Sequence, residues 1–123
     1  MNSKPILAIP MGDPAGIGPE IVLKTLSRGV HVGTAVVIVV GDRYLFEKTA
    51  EDCALGNPFD AIVTSDAECR QALAKQAITI LYHLPLVDLK TFSYGRLYPF
   101  QRFQVFRYLS LNTYLFSLSI YLF

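Results

Sequence analysis

The chain is poor in metal-binding side chains and carries no excess of either charge. It has two cysteines, two histidines and a net charge of +1. Near-neutrality removes the electrostatic case for nucleic acid or an anionic membrane as partner. Cys53 and Cys69 form no C-x-x-C pair and no ligand cluster with His31 or His83. Both cysteines fall on the apolar faces of predicted helices, which reads as buried free thiols in a reducing cytosol; a disulfide is the alternative. Internal repeats are absent. The N-terminus, MNSKPILAIPMGDP, lacks the unbroken apolar stretch of a secretory signal, so a cytoplasmic location is expected.

Another absence is local. All ten acidic residues lie within positions 1 to 97, and positions 98 to 123 carry only Arg102 and Arg107 as charges and no glycine. That tail holds nine of the fifteen aromatic residues. The change divides the chain into residues 1–97, an α/β region, and residues 98–123, an aromatic-rich apolar tail.

In the first region apolar runs alternate with helical patterns. PILAIP and TAVVIVVG read as buried strands, the second β-branched and apolar throughout. FDAIVTS and QAITILYH are two further strands. Pro19 suits the first position of a helix running to about Ser27, with Val22, Leu23 and Leu26 inward and Gly29 at its end. Glu20 favours the positive end of that helix and can pair with Lys24. Asp42 caps a second helix, about Arg43 to Cys53, with Phe46, Thr49, Ala50 and Cys53 on its buried face. Ser65 and Glu68 stand at capping-box spacing before a third, with Cys69, Ala72, Leu73 and, at the margin, Gln76 on one side. The order β-α-β-α-β-α-β predicts an α/β layered domain with a mainly parallel sheet.

The loop between the first strand and helix, MGDPAGIGPE, carries the functional signal. Gly16 and Gly18 supply two glycines of a dinucleotide fingerprint, but the third position is Ile21. Asp42 resembles the ribose-binding acid yet lies somewhat beyond its usual spacing, and Asp13 would repel a pyrophosphate. No Lys-Ser or Lys-Thr follows, which excludes a P-loop. Two readings stay open on spacing alone. One is a strained strand-to-helix turn, with Gly16 and Gly18 allowing positive φ. The other is a small-molecule site, since open α/β sheets bind ligands beyond the carboxyl ends of their strands.

MGDPAGIGPEIVLKTL closely resembles the N-terminal signature of the 4-hydroxythreonine-4-phosphate dehydrogenase family. VVIVVGDRYLFEKTAE and LPLVDLKTFSYGRL are similar to later segments of it, so the resemblance covers residues 4 to about 97. A looser form of the loop opens the isocitrate and isopropylmalate dehydrogenases. The resemblance therefore implies the incomplete N-terminal part of their layered fold. It implies an NAD-dependent, divalent-metal-assisted oxidation and decarboxylation of a phosphorylated four-carbon hydroxy acid, in pyridoxal phosphate biosynthesis. Gly12, Asp13, Gly16, Ile17 and Gly18 are then expected to border cofactor or substrate. The family's metal-binding histidines lie beyond the matched segment, and neither His31 nor His83 sits in a matching motif. Each reads as a surface or strand-end histidine, and no metal ligand or catalytic residue is assigned here.

The resemblance stops at about Leu97. Loss of pattern, acids and glycine at one point predicts a frameshifted or otherwise non-native tail and a truncated, inactive product. Domains are stable by only about 5–15 kcal/mol, and each uncovered large apolar side chain forfeits roughly 1.5–3 kcal/mol. Low solubility is expected on that ground. The family's homodimer is doubtful here, and cofactor and metal are not expected to bind productively. The alternatives are a related threonate or erythronate 4-phosphate dehydrogenase, or a small non-catalytic, membrane-associated protein. A true anchor fits poorly, because spanning needs about 20 predominantly apolar residues.

Overall fold

Val36–Gly41 forms β2, the centre of the fold, in a computed structural model that describes residues 4–95. Its run of β-branched residues suits a strand covered on both faces, and Val37, Ile38, Val39 and Val40 are all buried. The other elements are β1 (Ile6–Pro10), α1 (Gly18–Ser27), α2 (Arg43–Asp52), β3 (Ala61–Val63), α3 (Asp66–Ala74) and β4 (Thr79–His83). The strands form one sheet in the order β1-β2-β4-β3, with every pairing parallel. This is the α/β architecture expected from the alternating pattern. The tail of residues 98–123, with the frameshift and anchor readings attached to it, lies outside the described residues. Among the described residues no helix is long and apolar enough to cross a membrane.

Helices occupy both faces of the sheet. Successive strand residues point to opposite faces. Leu81 lines a cavity of about 200 Å³ with Leu23 of α1 and Phe46 of α2. On the other face, Tyr82 donates its hydroxyl to Asp66 at the start of α3, at 2.9 Å. α1 packs against α2, and α3 lies against β3 and β4. Leu23, Leu45, Val39, Ile80 and Leu81 are almost wholly inaccessible and form the centre of the core.

Several local expectations need correction. Cys69 is fully buried, but Cys53 stands just past the end of α2 as its C-cap and is only half-buried; both are free thiols. Gln76 lies beyond the end of α3, exposed and at φ +63°, not on the helix's inner side. Leu45 joins the buried face of α2, and Ala50 is only partly covered. The strand foreseen in FDAIVTS shrinks to Ala61–Val63, because the Glu68 carboxylate takes the Thr64 N–H at 2.7 Å and ends the ladder there.

Candidate functional site

The strand-to-helix loop opens at the carboxyl edge of the sheet. β1 continues its pairing one step past Pro10, with Met11 N–H donating to the Val40 carbonyl at 2.9 Å. The Met11 side chain is buried against Gly41, where an added Cβ would stand 2.7 Å from the Met11 Cβ. Gly41 thus leaves room for the methionine that anchors the loop.

Asp13 then folds the loop on itself. Its Oδ1 accepts the Ala15 N–H at 2.9 Å, and its carbonyl accepts the Gly16 N–H at 3.1 Å. That is the turn chemistry expected of Asp-Pro. Pro14 and Ala15 are buried, Gly16 is exposed, and Ile17 is 71% exposed. α1 begins with Ile17 as N-cap, which supplies no side-chain hydrogen bond to the first turn. Pro19 fills an opening position and loses no bond there. Glu20 pairs with Lys24 on the solvent side.

The glycines act differently from the expectation. Positive φ is found at Gly12 (+82°) and at neither Gly16 nor Gly18. Gly18 is needed for close approach, since a Cβ there would stand 2.6 Å from the Met11 carbonyl oxygen. Gly12 faces open space, with no atom within 4 Å of an added Cβ. Gly12, Asp13, Gly16 and Ile17 thus lie on the loop at the carboxyl edge of the sheet, and Gly18 opens α1 directly after it.

Asp42 stands beside that loop, and its role excludes ribose binding. It is 1% exposed, caps α2 through Oδ1 to Tyr44 N–H at 2.9 Å, and accepts Leu86 N–H (2.8 Å) and Val87 N–H (2.9 Å) on Oδ2. Both oxygens are committed to the backbone. The cap was legible in the sequence, but the second duty was not, because its donors lie 44 and 45 residues further on.

The histidines occupy opposite ends of β4. His31 is buried rather than on the surface, with Nε2 2.6 Å from Oγ1 of Thr79, the strand's first residue. His83, the last residue of β4, accepts the Arg43 N–H on Nδ1 at 3.0 Å and meets Tyr44 edge to face. Four strand steps, about 13 Å, keep them from sharing an ion. Among the described residues no group of three or more His, Cys, Asp or Glu comes together as a metal set. These residues do not fit a metal centre.

No protein-family model matches the chain. Curated proteins do. A Fusobacterium nucleatum protein, provisionally named a D-threonate 4-phosphate dehydrogenase, is 33% identical over 90 residues, which are 73% of this chain and 26% of that protein. A protein of Halalkalibacterium halodurans with the same provisional name is 52% identical over 48 residues, 39% of this chain and 14% of its own length. Among solved structures, a 4-hydroxythreonine-4-phosphate dehydrogenase from Burkholderia phymatum has a similar fold. Its TM-score is 0.66 at 24% identity, covering 93% of this chain and 33% of that one. The chain thus spans about a quarter or less of the length of these curated relatives. Over that matched part, the chain is similar in sequence to proteins provisionally named threonate 4-phosphate dehydrogenases, and in fold to a 4-hydroxythreonine-4-phosphate dehydrogenase.

Proposed function

We propose that the Gly12–Gly18 loop forms one wall of a dehydrogenase site for a four-carbon hydroxy acid 4-phosphate. The observation that carries this reading is the 33% identity over 90 residues to a protein provisionally named for D-threonate 4-phosphate. The placement of the loop supports it, because ligands of open α/β sheets lie beyond the carboxyl ends of the strands. D-threonate 4-phosphate is the first substrate to consider, and 4-hydroxythreonine 4-phosphate, named for the structural neighbour, is the second.

The chain's own residues contribute shape and polarity. Gly12 offers bare backbone to an open space, and Gly16 is exposed beside it. The first turn of α1 has no side-chain cap, so its positive dipole end is available to a phosphate. Asp13 holds the loop closed through Ala15. These features fit one wall of a site for a phosphate-bearing cofactor such as NAD. When bound, NAD would supply the hydride acceptor.

Metal ligands have to come from elsewhere, and for that reason the 123 residues alone are proposed to be inactive. The isocitrate dehydrogenase-like layering, pyridoxal phosphate biosynthesis and a cytoplasmic setting belong to the same proposal, as does the division between residues 1–97 and a non-native 98–123.

The test is a titration of the full chain with NAD and, separately, with D-threonate 4-phosphate. Amide signals of Gly12, Gly16 and Gly18 should move while those of α3 stay. Loop signals indifferent to both ligands would sink the assignment. NADH formed by this chain from either substrate would overturn the proposed inactivity.

A further inference from the structure

Asp42 does more than an N-cap requires. One acceptor suffices to cap a helix, and serine serves nearly as well. Here Oδ1 does the capping, while Oδ2 takes the N–H groups of Leu86 and Val87. Carboxylate-to-amide bonds of this kind are charge-assisted and stronger than neutral ones. They pin the chain that leaves β4 to the exit of β2, where Leu84 N–H also donates to the Gly41 carbonyl at 2.9 Å.

The pinned segment then returns to the opening loop. Phe92 packs partly against the core, and the Tyr94 hydroxyl donates to Asp52 Oδ2 at 2.8 Å. Gly95, at φ +80°, donates its N–H to the Ala15 carbonyl at 3.0 Å. Ala15 is the residue whose own N–H is held by Asp13. Met11 closes the circuit through the Val40 carbonyl, two residues before Asp42. Hydrogen bonds at Asp42–Leu86, Gly95–Ala15 and Met11–Val40, joined by the chain between them, thus link Asp42 to the opening loop and back to β2.

We propose that Asp42 is a positioning residue for the opening loop, acting at a distance through the segment Leu84–Gly95. It need touch no ligand, and the coupling holds whatever the loop binds. The Asp42 carboxylate fixes the far end of the segment, and the segment holds the loop at Ala15.

Backbone hydrogen exchange on the full chain tests this, with Asp42→Ser as the main variant. Serine keeps the cap on Tyr44 but cannot also reach Leu86 and Val87. Exchange should quicken about tenfold at Leu86 and Val87, and at Ala15, Gly16 and Gly95 with them, as loss of charge-assisted bonds opens the unit locally. Tyr44 should stay protected. So should Asp60, whose N–H pairs with Thr79 at the opposite edge of the sheet. Trypsin should also cut faster after the exposed Lys90. Faster exchange at Leu86 and Val87 with an unchanged opening loop would overturn the proposal, as would a uniform rise that includes Asp60. Where Asp42→Ser does not fold, Gly95→Pro removes the donor to Ala15 and also forbids the φ of +80°, so it frees the segment from the loop at that end and leaves Asp42 intact. Ala15 and Gly16 should then exchange faster while Leu86 and Val87 hold, and an unchanged loop overturns the coupling.

Discussion

Gly18 and Met11 stand so close that a Cβ on the glycine would lie 2.6 Å from the methionine carbonyl oxygen. Backbone cannot yield as a flexible side chain can, so the first residue of α1 must be glycine for β1 to turn into the helix this tightly. Gly18→Ala should cost about 1–3 kcal/mol, the range for overpacking. Gly16→Ala meets only ordinary contacts, at 3.5 Å, and should change stability by no more than about 0.5 kcal/mol. Urea unfolding of the two variants decides it, and equal losses would refute the close-approach account.

The buried pair His31–Thr79 joins the loop after α1 to the start of β4. Thr79→Val keeps the shape and removes the hydroxyl, leaving the imidazole Nε2 without its partner. Stability should fall by about 1–3 kcal/mol, the cost of an unsatisfied buried polar group. A Thr79→Val chain as stable as the parent would show that the bond contributes nothing.

The two thiols should differ sharply in reactivity. Burial, with the Asp66 carboxylate as the next cause, pushes the Cys69 thiol up from 9.0 to about 11, so it carries almost no thiolate at neutral pH. Cys53 is half-buried. With a chromogenic disulfide reagent the native chain should release one equivalent quickly, and the second only on unfolding. Cys53→Ser should abolish the fast phase. Two equivalents released together from the folded chain would contradict this.

Acid should weaken the fold partly through Glu68. The backbone N–H of Thr64, and then its hydroxyl, hold the Glu68 carboxyl below its ordinary value of 4.5. A lowered carboxyl stabilises the fold above that ordinary value, and the contribution disappears as pH falls through the lower folded-state value. Urea midpoints of the parent should therefore drop more steeply below pH 4.5 than those of Glu68→Gln. Parallel curves would remove Glu68 from the account.

Much of this architecture was legible in residue patterns. The apolar run of β2, the Asp42 cap, and the Ser65 hydroxyl that accepts Glu68 N–H at 3.2 Å all depend on neighbours within a few residues. Non-local relations were hidden. The Glu68 carboxylate takes the Thr64 N–H and hydroxyl besides a weaker bond from the Ser65 backbone, so the foreseen capping box also stops β3. His31 looked like a surface residue because Thr79, the partner of its buried ring, lies 48 positions away. Within the candidate site, the turn at Asp13 and the start at Pro19 were readable. The division of work between Gly12 and Gly18 was not, since close approach to Met11 leaves no mark in spacing.

The strand order has a consequence for how the chain is made. Among the described strands β3 pairs with β4 alone, and β4 separates it from β2. On a ribosome, residues 61–63 emerge well before residues 79–83 exist. Until then the nascent chain can join β1 to β2 and cover them with α1 and α2, while β3 waits without a neighbour. Of the four described strands the last to be synthesised goes into the interior of the sheet, so translation of residues 79–83 is what joins β3 to β1 and β2.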